Sequence, residues 1–193
     1  RQALDYYQRA KNPTAVSYAT WGLARSYYLQ GDLAQALVQI NKSLEPVDRN
    51  TLEAALPLEY LGRVHIDRGE YKAGLQHLEA ALKLYTKAEN PQEMYRVRGL
   101  IGKAYDRQGL IDRAKFHYLE ALDGFTRLED RVNQAAVYYA LGQLELRQKN
   151  YDQASDYLRR SIDVTENVRR VSTSKDLTTA FSATVQERYE AYI

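Results

Sequence analysis

RGLIGKAYDRQGLIDRAKFHYLEAL, residues 98–122, recurs along the chain. Copies are LEYLGRVHIDRGEYKAGLQHLEAAL at residues 58–82 and YALGQLELRQKNYDQASDYLRRSI at residues 139–162. The pairs Leu61-Gly62, Ile101-Gly102 and Leu141-Gly142 stand 40 residues apart. A looser copy, GLARSYYLQGDLAQALVQINKSL, occupies residues 22–44. A period of this length marks stacked helix pairs, because one pair cannot bury its apolar face alone. Such an array is expected to hold other molecules rather than to catalyse.

Working outward from that stretch, apolar residues recur at three- and four-residue steps. Leu58, Leu61, His65 and Ile66 form one stripe, and Val97, Ile101, Ala104 and Tyr105 another. Breaks fall where a repeat needs them. Gly31-Asp32, Gly69-Glu70, Gly109-Leu110 and Lys149-Asn150 divide each pair. Glycine ends a helix in the left-handed conformation without a Cβ clash, and Asp32 can cap the next helix. Asn12-Pro13 and Asn90-Pro91 place a capping side chain before a first-position proline, and Asn50 and Asp130 are weaker versions of that signal. The expected helices are 1–11, 13–29, 33–46, 51–68, 71–88, 91–107, 111–128, 131–148, 151–170 and 175–192. Pro57 would interrupt the fourth, so a loop or short turn is expected before it. Lys149, standing where glycine divides the other pairs, suggests a less regular turn there.

Small residues hold matching slots. Ala24, Gly62, Gly102 and Gly142 mark the first helices, and Ala36, Gly74, Ala114 and Ala154 the second. Helices approach closely where one lacks a bulky side chain. Tyr27, Tyr71, Tyr105 and Tyr151 are expected to fill the space beside them.

Composition narrows the class. Of 193 residues, 27% are charged and 45% hydrophobic, so the chain is neither disordered nor membranous. No apolar run approaches the ~18 residues of a membrane span. The start, Arg-Gln-Ala-Leu, lacks an initiator Met and a signal sequence, and reads as part of a longer protein. There are no cysteines, which excludes disulfides and thiolate chemistry and fits a cytoplasmic setting. A net charge of +2 falls well short of a dedicated nucleic-acid binder.

The pattern resembles the tetratricopeptide-repeat family. Its elements read here as Ile101-Gly102, Tyr105, Gly109, Ile111, Ala114, Tyr118 and Ala121. His65 and Glu145 replace the usual Tyr, Gly74 replaces Ala, and Lys149 replaces Gly. The resemblance covers residues 1–170: a half repeat at 1–11, then pairs at 13–46, 51–88, 91–128 and 131–170. It implies an all-α, right-handed superhelical array of antiparallel helix pairs, with residues 171–193 as a capping helix or a linker to a further domain. Residues 167–192, with Asn167-Val168-Arg169-Arg170-Val171, Asp176-Leu177, Ala180-Phe181 and Tyr189-Glu190-Ala191-Tyr192, resemble the junction to a caspase-like CHAT peptidase in bacterial proteins. The plainer reading is that Leu177, Phe181, Val185, Tyr189 and Tyr192 follow helical spacing and cap the array.

In that family the exposed side of the first helices binds peptides. Carried over, the resemblance implies a groove of Tyr18, Trp21, Arg25 and Tyr28, then Glu59, Arg63, Ile66 and Asp67, then Arg96, Lys103, Asp106 and Arg107, then Tyr139, Gln143, Leu146 and Arg147. Arg25, Arg63 and Lys103 share one slot, and a basic row would favour an acidic segment or a carboxylate end. The alternative is that the charges of this face pair with each other across adjacent helices. Trp21, the sole tryptophan, suits a binding hot spot and equally a packed aromatic. Some relatives clamp chaperone tails with a Lys-Asn-Asn-Lys-Arg set, where this chain has Trp21, Arg25, Tyr28, Leu56 and Tyr60; that set is absent.

Catalysis finds no residues to carry it: the sequence has no HExxH, P-loop or GxSxG. His77 and His117 hold the same slot in successive repeats, about 10 Å apart, too far to share a zinc ion. No metal or cofactor is expected. The 17 tyrosines fall mostly on packing slots, which argues against base stacking. The expected partner is a protein or peptide, with neither membrane nor nucleic acid. The alternative role is homo-oligomeric assembly through the array's ends, where Leu4, Tyr6 or Tyr7 of the half repeat would be exposed.

Overall fold

A computed structural model describes residues 13–171 and residues 186, 188, 190 and 191. Among the described residues all regular structure is helical. The chain divides into two compact units between Leu100 and Ile101. The first contains α1 (Pro13–Leu29), α2 (Leu33–Leu44), a short 3-10 turn (Leu52–Ala54), α3 (Ala55–Asp67), α4 (Tyr71–Lys87) and the start of α5 (Pro91–Arg107). The second contains the end of α5, then α6 (Ile111–Arg127), α7 (Arg131–Arg147) and α8 (Tyr151–Val171). Within the units α1 packs on α2, α3 on α4 and α7 on α8 as hairpins. The predicted half repeat at 1–11, with Leu4, Tyr6 and Tyr7, lies outside the described residues, as does most of the predicted helix 175–192.

Each hairpin turns the same way. Gly31, Gly69 and Gly109 have φ of 78°, 79° and 74°, the left-handed conformation that favours glycine. Lys149 takes that place with φ 61°. The less regular turn expected there is not found. Asn150 N donates to Glu145 O at 3.0 Å, as Leu110 N does to Tyr105 O. The closing hydrogen bonds hold the lysine in a conformation its side chain disfavours. Glu89 and Glu129, between hairpins, are also left-handed, at φ 50° and 54°.

Asp32 and Asp130 cap as expected, accepting from the Gln35 and Asn133 amides at 3.0 Å. Asn90 accepts from the Glu93 amide at 3.4 Å. Asn50 does not cap; its own amide donates to Asp48 Oδ1, and Thr51 precedes the 3-10 turn instead. That turn absorbs Pro57, which becomes the third residue of α3, where a missing N–H costs no helical hydrogen bond.

The glycine slots are close contacts. A Cβ on Gly62 would lie 2.7 Å from Leu78 Cγ, one on Gly102 2.7 Å from Tyr118 Cδ1, and one on Gly142 2.7 Å from Leu158 Cγ. In each hairpin the filler is therefore a residue inside the second helix. Tyr71 is only half-buried and Tyr151 is 65% exposed, so these two, expected in that role, do not fill it. Tyr105 instead stacks on His117 with centroids 5.5 Å apart, as His65 stacks on His77 at 5.3 Å. One aromatic joint is thus built twice from different rings.

Candidate functional site: the face of the first helices

In the first unit, Tyr18, Trp21, Arg25 and Tyr28 recur at three- and four-residue steps along α1, a single helical face. Tyr18 is 56% exposed and Arg25 is exposed. Trp21 and Tyr28 are half-buried because both rest edge-on against Tyr60 of α3, each 5.7 Å between centroids. Such T-shaped pairs add to the area that they bury. The buried indole N–H of Trp21 has no hydrogen-bond partner among the described residues. Tyr60 also carries the Arg63 guanidinium 5.0 Å above its ring. At the end of the same face, Tyr28 donates to Asp67 Oδ2 at 2.6 Å. Burial first, and then the Asp67 carboxylate, push the Tyr28 phenol above its usual range.

Glu59 sits in the middle of this face yet is 0% exposed. Its Oε1 accepts from Arg63 Nε at 3.0 Å and from Arg96 of α5. Arg96 also grips Glu93. Burial works against the Arg96 charge, but Glu59 and Glu93 outweigh it and raise its pKa. A buried carboxylate is tolerated because two guanidinium groups share it. Glu59 and Arg96 thus pair across α3 and α5, whereas Arg25 forms no ion pair among the described residues.

In the second unit, Asp106 of α5 accepts from Arg147 of α7 at 2.5 Å, again between first helices. Lys103 and Gln143 are half-buried and Arg107 is exposed. Tyr139 is half-buried beneath Arg188, whose guanidinium lies 5.9 Å from the ring centroid. Arg188 is 6% exposed and donates to Ser161 O at 3.2 Å and to Thr165 Oγ1. Glu145, at a slot that usually holds Tyr, is 2% exposed and accepts from Lys115 at 2.5 Å and Asn150 at 2.7 Å. Burial raises its pKa, but those two donors outweigh burial and hold it below the usual carboxylate range.

Sequence reasoning named Tyr60 only at a slot of the absent chaperone-tail clamp, and did not single out Glu93 or Arg188. The apolar stripe through Leu58 and Leu61 put Tyr60 one step off the face, and only the ring contacts reveal it as the hub. No group of three or more His, Asp or Glu among the described residues could hold a metal ion. No helix among them is long and apolar enough to cross a membrane.

Hairpins of similar length, joined by like turns and packed through small residues at a 40-residue spacing, define a helical-repeat protein. The tetratricopeptide-repeat family model matches residues 53–127 and again 99–167, and a second tetratricopeptide-repeat model matches 17–40. The chain belongs to the tetratricopeptide-repeat family. It is 30% identical over 128 residues to the Protein CTR9 homolog of Arabidopsis thaliana, covering 66% of this chain and 11% of that one. It thus spans about a tenth of the plant protein's length. The crystal structure of BtubC (BKLC) from P. vanneervenii is similar with a TM-score of 0.72 at 19% identity, covering 98% of this chain and 80% of that one. A Podosopora anserina putative kinesin light chain with nearly identical TPR-like repeats gives 0.66 at 13% identity, covering 93% and 88%. These likenesses agree with the all-α repeat fold.

Proposed function

We propose that the chain is a non-catalytic protein-interaction module that holds a peptide segment of a partner protein along the first helices of its pairs. The observation that carries this reading is the face of α1. Tyr18 and Arg25 stand in solvent beside a Trp21–Tyr60–Tyr28 cluster whose rings are already held in place. Aromatic rings fixed before binding lose little entropy when a ligand covers them. Among the described residues Arg25 has no ion-pair partner, so an acidic residue of the partner segment is the favoured contact there. In the first unit Arg63, Asp67 and Arg96 extend the face, and Glu59 supports it from below; Lys103, Asp106, Arg107, Tyr139 and Gln143 are the candidate residues of the second unit.

Peptides selected from a displayed random library on the purified chain test the reading. Trp21→Ala and Arg25→Glu should each weaken the selected peptides. Affinities unmoved by either substitution would remove this face from the site. Control of a following CHAT-type peptidase is the finer form of the proposal. It rests on the resemblance of residues 167–192, much of which lies outside the described residues.

A further inference from the structure

The junctions between successive hairpins are not alike. Residues 88–90 join α4 to α5, and residues 128–130 join α6 to α7, but residues 45–54 separate α2 from α3. The long junction brings Arg49 to an open groove of about 760 Å³ that Lys83 and Lys87 of α4 also line, together with Leu82 and Leu84. That volume lies in the range of ligand-binding clefts. Glu79 is the one acidic residue lining it among the described residues.

The charge pattern here is self-opposing. Arg49, Lys83 and Lys87 are all exposed and none is ion-paired among the described residues. Lys83 and Lys87 are four residues apart on one helix, where like charges repel. At the matching positions, 40 residues on, α6 has Asp123 and Arg127, which bridge each other at 2.7 Å. The repeat can therefore satisfy these positions internally, and in α4 it does not. A cation in the last turn of a helix complements the helix dipole, which accounts for Lys87 but not for Arg49 on the facing junction. A phosphate would leave the half-buried Leu82 uncovered. An extended chain with carboxylates spaced between apolar side chains answers both the three cations and the part-exposed Leu82.

We propose that this groove is a second binding surface, separate from the face of α1 and α3, and that it takes an acidic, leucine-bearing segment of a partner protein. Fluorescence anisotropy on the whole chain tests it, using a labelled peptide of alternating glutamate and leucine and its glutamine counterpart. The acidic peptide should bind and the glutamine peptide should not. Lys83→Asp copies the charge pattern of α6, so the helix stays folded, and it should weaken binding about tenfold. Circular dichroism of that variant checks the fold. Lys42→Asp, at an exposed lysine of α2, should leave binding unchanged. The proposal is overturned if the acidic peptide fails to bind, if the glutamine peptide binds equally, or if Lys42→Asp weakens binding as much as Lys83→Asp. Displacement by inorganic phosphate at matched charge would make the groove an ion site instead. Loss of binding in Trp21→Ala alone would move the peptide to the face of α1 and overturn the groove while favouring the first proposal.

Discussion

Gly102 and Tyr118 meet so closely that a Cβ on the glycine would lie 2.7 Å from the ring's Cδ1. The α5–α6 joint can close only with hydrogen at that position. Gly102→Leu should overpack it and cost roughly 1–3 kcal/mol. Gly22 is the control, since a Cβ there meets nothing within 4 Å. Gly22→Ala should instead stabilise α1 by about 0.5–1 kcal/mol, because glycine in a helix interior carries an entropic cost. Thermal melts moving in opposite directions for the two variants are the expected result; the same direction for both would break the assignment of the slot.

Lys149 occupies a left-handed turn that glycine fills in the other hairpins, with φ 61°. Lys149→Gly should raise stability by about 0.5–1 kcal/mol, the left-handed penalty less glycine's own entropic cost. Gly109→Lys should lose a similar amount. Urea midpoints measured on both variants check the pair, and an unchanged midpoint for Lys149→Gly would show that the turn holds no strain.

Those two sites also show what can be read from residues alone. The 40-residue spacing of Gly62, Gly102 and Gly142 exposes the joints because hydrogen is the only side chain that fits, so the slot leaves a mark in the sequence. Gly31, Gly69 and Gly109 mark turns for the same reason. Lys149, Glu89 and Glu129 leave no such mark, since the closing hydrogen bonds impose φ whatever the residue. The face of α1 was legible because Tyr18, Trp21, Arg25 and Tyr28 lie on one helix. Tyr60 was not, because its role depends on which rings lean on it from another helix. Nor was the burial of Glu59: one carboxylate between two arginines at a distance of four and of 37 residues looks like any surface charge until the helices pack.

Glu145 and Lys115 supply a pH-dependent contribution. The Glu145 carboxyl is held below its ordinary value of 4.5, so the folded state favours the charged form. The stability it adds is therefore complete above that value and is lost as pH falls through the lower folded-state value. At neutral pH, Lys115→Met should cost about 1–3 kcal/mol by leaving a buried carboxylate with Asn150 as its remaining donor. Glu145→Gln should be less stable than the parent at pH 7 and approach it in acid. Denaturant titrations across that range check the sign, and a gap that widens on acidification would contradict it.

Trp21 is the sole tryptophan, so its emission reports one place on the molecule. Its ring is held edge-on to Tyr60 and is half-buried. Tyr60→Leu removes that edge and should shift the emission to longer wavelength as water reaches the indole, whereas Gly22→Ala should not. A peptide bound along α1 should move it the other way, by covering the exposed part of the ring. Trp21→Ala should then cost such a peptide roughly 2 kcal/mol, the scale of a hot-spot aromatic. A peptide that competes for this face yet leaves both emission and quenching by acrylamide unaltered would show that Trp21 packs against Tyr60 and does nothing more.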